Sequence, residues 1–149
     1  MKYALRISYL GTNYCGFQRQ SRNPEKAPAL PSIQETIEKA LSRVTNSTIT
    51  IVGSGRTDSG VHAVGQVFHF ILENEKYTPE KIKRGLNSLL PQDIRVMESF
   101  LVPIEFHAQR SAVHKQYSYY FQQGPSALPH LMATSWWIQK KLEIGRAHV

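Results

Sequence analysis

The apolar residues of this chain change their spacing in a set order along residues 3–102, and that order limits the folds open to it. Tyr3, Leu5, Ile7 and Tyr9 alternate with Ala4, Arg6 and Ser8, the two-residue period of a half-buried strand. Ser32 followed three positions later by Glu35 reads as a capping box, and Ile33, Ile37, Ala40, Leu41 and Val44 then form one helical stripe. Residues 48–52 return to alternation with Ile49 and Ile51 on one face. Residues 66–72 repeat it, with Phe68, Phe70 and Leu72 set against Val67, His69 and Ile71. Thr78-Pro79 supplies an N-cap and a proline at the first helical position, Ile82, Leu86, Leu89 and Leu90 line the helix, and Pro91 stops it. Residues 94–102 read as a last strand.

The predicted order is thus β-α-β-β-α-β. This is the split α+β arrangement of ferredoxin-like domains, RRM-like RNA-binding domains among them, and it predicts one such domain over residues 1–104. Fold alone does not give function. Further on, Tyr117, Tyr119 and Phe121 share one face of a predicted strand over residues 116–121. Gly124 to Pro129 reads as a turn or linker, and Trp136-Trp137-Ile138 is a short apolar run with no partner left in the chain.

Between the two middle strands lies Gly53-Ser54-Gly55-Arg56-Thr57-Asp58-Ser59-Gly60-Val61-His62-Ala63. Those domains often keep a short hairpin here, and loops of this length are commonly functional. Arg56 and Asp58 put opposite charges two residues apart, able to hold and neutralise each other until a substrate arrives. A surface turn with a solvated ion pair fits the same residues. Residues 11–22 interleave Tyr14 and Phe17 with amides and with Arg19 and Arg22, a mixture suited to stacking on bases and meeting phosphates. The same aromatics would equally serve to cover a core.

Charge points the same way. Eighteen Lys and Arg against eleven Asp and Glu give a net charge of +7, which favours a polyanionic partner, nucleic acid foremost, over a merely solvated basic surface. From Ala108 to Leu142 there is no acid, while Arg110, Lys115, Lys140 and Lys141 fall there. The single cysteine, Cys15, cannot form an intrachain disulfide, the N-terminal residues lack a signal-peptide pattern, and no apolar run approaches the length of a membrane span. A cytoplasmic protein without membrane contact is expected.

Several chemistries do not fit the loop. It lacks the Gly-Lys-Ser/Thr ending of a phosphate-binding P-loop and leads to a strand rather than a helix. His62, His69, His107 and His114 follow no metal-ligand spacing, so no metal is expected. No second carboxylate stands near Asp58, against a two-carboxylate glycosidase. A single aspartate beside an arginine suits covalent catalysis, with the arginine keeping the carboxylate ionised and the carboxylate attacking an electrophilic carbon.

Residues 55–63 resemble the active-site motif of the tRNA pseudouridine synthase A family, which usually reads Gly-Arg-Thr-Asp-Ala-Gly-Val-His. Residues 9–20, Tyr-Leu-Gly-Thr-Asn-Tyr-Cys-Gly-Phe-Gln-Arg-Gln, resemble the family's first motif, and Ser32-Ile33-Gln34 its helix start. Residues 66–70 resemble the strand after the active site, 86–94 the second helix, and Phe106-His107-Ala108 with Tyr117-Ser118-Tyr119 a later motif. The resemblance covers about residues 2–142. It implies isomerisation of uridine to pseudouridine at positions 38 to 40 of the tRNA anticodon stem-loop, with no cofactor and no metal. By position it makes Asp58 the nucleophile, attacking either base or sugar, and gives Arg56, Thr57, His62 and Tyr117 substrate-binding roles, Arg56 placing the flipped nucleotide and Tyr117 packing on the uracil. The target base must leave its stack to be reached. Arg19, Arg22, Arg110 and Lys115 are the candidates for RNA backbone contacts.

The chain departs from the family pattern at Leu10, usually aspartate, at Ser59, usually alanine, and at Gln109, usually arginine, where Arg110 follows instead. The resemblance also implies a homodimer and a longer protein whose second half completes the cleft. Residues 105–142 are accordingly expected to begin a truncated α/β catalytic domain, and this piece alone to be inactive. Residues 143–149 are what a common sequencing-library adapter encodes when read as GAG ATC GGA AGA GCA CAC GTC, so this tail is expected to be non-native. The same residues followed by a stop codon in an independently sequenced copy of the gene would refute that. The reading from another class is a non-catalytic RNA-binding module that uses the same basic face.

Overall fold

A computed structural model of the chain describes residues 1–19, 30–73 and 76–142. The elements run β1 (Lys2–Tyr9), α1 (Ile33–Thr45), β2 (Val52–Gly53), β3 (Ala63–Ile71), α2 (Pro79–Leu89), β4 (Ile94–Val102), β5 (Phe121–Gln123) and β6 (Trp136–Ile138), with 3-10 turns at Gly11–Asn13 and Pro129–Leu131. They fall into two units, residues 1–113 and the residues from 114 onward.

In the first unit β1 is central because both of its neighbours can use its full length. It pairs antiparallel with β3, placing Leu5 opposite Phe68 and Tyr3 opposite Phe70, and antiparallel with β4 on its other side. With β2 beyond β3 the strand order is β2-β3-β1-β4. The alternation read from the sequence sends Tyr3, Leu5, Ile7 and Tyr9 to one face, where Phe68, Phe70, Ile94 and Val96 join them. Both helices close that face: Ile33, Ile37 and Leu41 of α1 and Ile82 and Leu86 of α2 belong to the same core. Tyr3 and Phe70 stack with ring centroids 5.2 Å apart. The result is a mixed domain of an antiparallel sheet and two helices. Among the described residues no helix is long and apolar enough to cross a membrane.

The caps follow the sequence. Ser32 Oγ accepts from Glu35 N at 3.0 Å, Thr78 Oγ1 accepts from Lys81 N at 3.3 Å, and α1 ends at Asn46 in the left-handed region at φ 52°. Leu89 points away from the core, leaving Leu90 to complete the α2 stripe.

On the opposite face of the sheet, Lys2 Nζ donates to the carbonyls of Ile104 and, at 2.8 Å, Phe106, and Ala108 N donates to His69 Nδ1 at 3.1 Å. Residues 105–113 therefore belong to the first unit together with residues 1–104. Burial, then electrostatic opposition from the neighbouring His107 and Lys2, pushes the His69 imidazole below its ordinary value.

Three local expectations are corrected. Residues 48–51 are not a strand although Ile49 and Ile51 are buried, since Ile51 N donates to the side chain of Glu38 at 3.1 Å rather than to a neighbouring strand. Residues 116–120 are exposed and unladdered, and the strand begins only at Phe121. Trp136-Trp137-Ile138 does find a partner: β5 and β6 pair in parallel in the second unit, with Phe121 opposite Trp136, and Trp137 Nε1 donates to Gly124 O at 3.0 Å. The intervening 3-10 turn gives the chain room to return in the same direction. Arg22 and residues 143–149 lie outside the described residues.

Candidate active site

Residues 54–62 cross between β2 and β3, and their main chain is anchored along its whole length. At the near end Ser54 N donates to Val67 O and Gln66 Nε2 to Gly55 O, both at 2.7 Å. In the middle the Tyr9 hydroxyl and Thr57 Oγ1 share a hydrogen bond of 2.8 Å, and Phe17 N donates to Thr57 O at 3.0 Å. Val61 N donates to Asp58 O at 3.2 Å, closing a turn in which Gly60 sits at φ 80°. At the far end Gly11 N donates to His62 Nδ1 at 2.9 Å, so the neutral His62 ring carries its proton on Nε2.

The segment after β1 supplies two of these anchors, Phe17 N and Gly11 N, and it approaches closely enough to need glycine. Gly16 lies at φ 109°, and a Cβ there would stand 2.6 Å from Thr57 O. The same segment is tied to α1, whose free N-terminal donors Ile33 N and Gln34 N reach Gly16 O at 3.1 Å and Phe17 O at 2.9 Å. Tyr14 and Phe17 are buried, so the core reading of these aromatics holds and the base-stacking one does not. Burial pushes the Tyr9 phenol above its ordinary value, the bond to Thr57 partly offsetting it.

Alternation along the loop sorts its side chains. Thr57 and His62 face inward onto β1 and the segment after it, whereas Arg56 and Asp58 are exposed. Among the described residues no ion pair joins Arg56 to Asp58, contrary to the expected pairing. Two exposed charges gain little from meeting in water, and no packing forces them together. The outcome is a carboxylate presented to solvent from a main chain that is firmly held, an arrangement suited to a nucleophile.

Of the other candidates, Arg19 is half committed: Nη1 lies 3.4 Å from Oε2 of the buried Glu38, and its main-chain N donates to Gln34 Oε1 at 3.0 Å. Arg110 and Gln109 are both exposed, their main-chain donors turned to His107 Nδ1. Lys115 and Tyr117 lie in the second unit, both exposed. The sequence reading missed Tyr9 as a support of the loop and gave Tyr14 a stacking or core-covering role rather than a hydrogen-bonding one. The signal available was their hydroxyls, since a tyrosine buried in a core needs a polar partner.

The family model for tRNA pseudouridine synthase matches residues 6–109, a span that contains the whole loop and its supporting segment. The chain belongs to the tRNA pseudouridine synthase family. Among curated relatives it is similar to the tRNA pseudouridine synthase A of Maridesulfovibrio salexigens, 47% identical over 76% of this chain and 39% of the relative. It is also similar to those of Francisella tularensis subsp. novicida, 37% identical over 97% of this chain and 53% of the relative, and Treponema pallidum subsp. pallidum, 40% identical over 96% and 50%. The chain thus spans about half the length of the tRNA pseudouridine synthases it matches, or less.

Proposed function

We propose that the intact protein to which this chain belongs isomerises uridine to pseudouridine in the anticodon arm of tRNA, with Asp58 as the nucleophile. The observation that carries this reading is the Asp58 carboxylate itself, exposed at the tip of a main-chain-anchored loop inside the stretch that matches the family. The reaction breaks the bond between uracil N1 and the ribose, turns the ring and rejoins it through C5, whose proton is lost while N1 gains one. No electrons enter or leave, so the chemistry requires no redox cofactor. It does require that the detached base be kept in place while it turns: a transient bond from an Asp58 oxygen to the base or to the ribose, broken again once the C1′–C5 bond has formed, bridges the two halves of the reaction in a site closed to water.

In this reading Arg56, exposed and unpaired among the described residues, is free to meet the flipped nucleotide or its phosphate. Thr57 and His62 set the loop's shape at the substrate, and Tyr117 packs on the uracil. Arg19, Arg22, Arg110 and Lys115 meet the RNA backbone, Arg19 with one guanidinium edge kept for Glu38. The strand order β2-β3-β1-β4, with both helices on one face, supports reading the first unit as ferredoxin-like. The intact protein is proposed to work as a cytoplasmic homodimer.

Asp58→Ala in the intact protein tests the central claim. Pseudouridine formation on an unmodified tRNA transcript should fall below detection while tRNA affinity is retained. Undiminished turnover would remove Asp58 from the mechanism, and tRNA binding with no turnover in the parent protein would favour the RNA-binding module.

A further inference from the structure

The turn that follows Asp58 is reached through a partly buried contact from an element far outside the active-site motif. The Tyr14 hydroxyl donates to Asp93 Oδ1 at 2.6 Å, across 79 positions of chain. The main-chain carbonyl of the same Tyr14 accepts from Ser59 Oγ at 3.1 Å and from Gly60 N at 3.4 Å. Asp93 is itself fixed between α2 and β4, where its carbonyl accepts from Leu10 N at 2.9 Å and Ile94 N donates to Pro91 O at 3.1 Å. Tyr14 is therefore held by its side chain at one end and holds the two residues after Asp58 at the other. Only 4% of it is exposed. Burial, then the bond to Asp93 and its negative charge, push the phenol well above its ordinary value, so it remains a donor throughout the physiological range.

We infer that Tyr14 and Asp93 are positioning residues for the Asp58 carboxylate: their bond fixes the Tyr14 carbonyl, and that carbonyl fixes the turn which aims Asp58 out of the loop. This rests on the reading of Asp58 as the nucleophile. The Asp58 side chain has no hydrogen bond or ion pair of its own among the described residues, so the main chain is what fixes the point and heading from which its rotamers reach out. A shift of the turn displaces the whole set of positions the attacking oxygen can reach, and attack is sensitive to misplacements of well under about 1 Å around a near-contact geometry. Ser59 strengthens the device, since this chain has a hydroxyl on the Tyr14 carbonyl where the family motif usually has alanine. The segment after β1 thereby couples the end of α2 to the chemistry.

The test uses the intact protein and single-turnover rates at saturating tRNA, well below the thermal midpoint. Tyr14→Phe keeps the ring in the core and removes only the bond; its rate should fall about tenfold with tRNA affinity unchanged. Asp93→Leu should fall equally, and the double variant no further than either single one, because both remove the same bond. Asp93→Asn retains an accepting oxygen and should stay within about twofold of the parent. A Tyr14→Phe rate within about twofold of the parent, whatever its thermal midpoint, would overturn the inference by reducing the bond to a purely structural one. An Asp93→Asn rate as low as that of Asp93→Leu would overturn it too, since the bond would then not be the cause. Turnover by Asp58→Ala is a different result, removing the nucleophile assignment on which the inference rests.

Discussion

Thr57 turns inward and Asp58 outward, and this division of adjacent residues leaves the loop anchored with its carboxylate exposed. The inward side chain satisfies a buried hydroxyl: Tyr9 is only 3% exposed, and its hydroxyl shares a 2.8 Å hydrogen bond with Thr57 Oγ1. Thr57→Val, matched in shape but lacking the hydroxyl, should cost about 1–3 kcal/mol in urea denaturation, because it leaves a buried phenol without a partner. Thr57→Ser should stay near the parent. A loss in the serine variant with none in the valine variant would mean that the methyl, not the bond, is what the site requires. The motif itself was legible in the sequence because its glycines, charges and histidine are crowded into one stretch. The inward partners were not, since Tyr9 read as an apolar position in an alternating strand and Tyr14 as either a base-stacking or a core-covering ring, neither reading giving its hydroxyl a partner.

Among the elements, β3 carries two jobs on its two faces. Phe68 and Phe70 enter the core, while His69 on the other face takes Ala108 N and so pins residues 104–108 to the sheet. That bond requires a neutral Nδ1, and the groups facing it, Lys2 from β1 and His107 from the pinned segment, oppose a proton. The folded pKa lies below the unfolded one, so the unfolded chain binds more protons in the interval between them. This contribution to stability is fully present above the ordinary histidine value of about 6.5 and is lost as pH falls through the folded pKa. Urea midpoints measured between about pH 8 and 5 should therefore drop on the acid side, and His69→Gln, which can still accept from Ala108 N but does not titrate, should flatten that part of the profile. An unchanged acid slope in His69→Gln would assign the loss to other groups. Element order and both helix starts were legible because period and caps are local. The fate of residues 48–51 was not: alternation foretold which side chains are buried, but the Glu38 carboxylate, distant in sequence, takes the Ile51 donor that a strand partner would need.

At the scale of the whole molecule, the main hydrophobic cluster of the described residues runs from Tyr3 to Val96, and Ala108, buried apart from it, also lies in the first unit. A piece ending at Val113 should therefore fold alone and show the main thermal transition of the 149-residue chain, within a few degrees by calorimetry. A piece without that transition would mean that residues beyond 113 supply stability the core does not account for. The second unit holds a parallel pair of short strands, with Trp136 still 73% exposed. The sequence by itself determined the alternation of strands and helices, the two helix caps, the family motif and the aspartate at its centre, because each is written in neighbouring residues. Only the tertiary structure decided the strand order, the absence of an Arg56–Asp58 pair among the described residues, and the hold of Asp93 on the turn beside Asp58 through Tyr14. Those depend on which distant groups meet, and a hydrogen bond across 79 positions leaves no periodic trace in the chain.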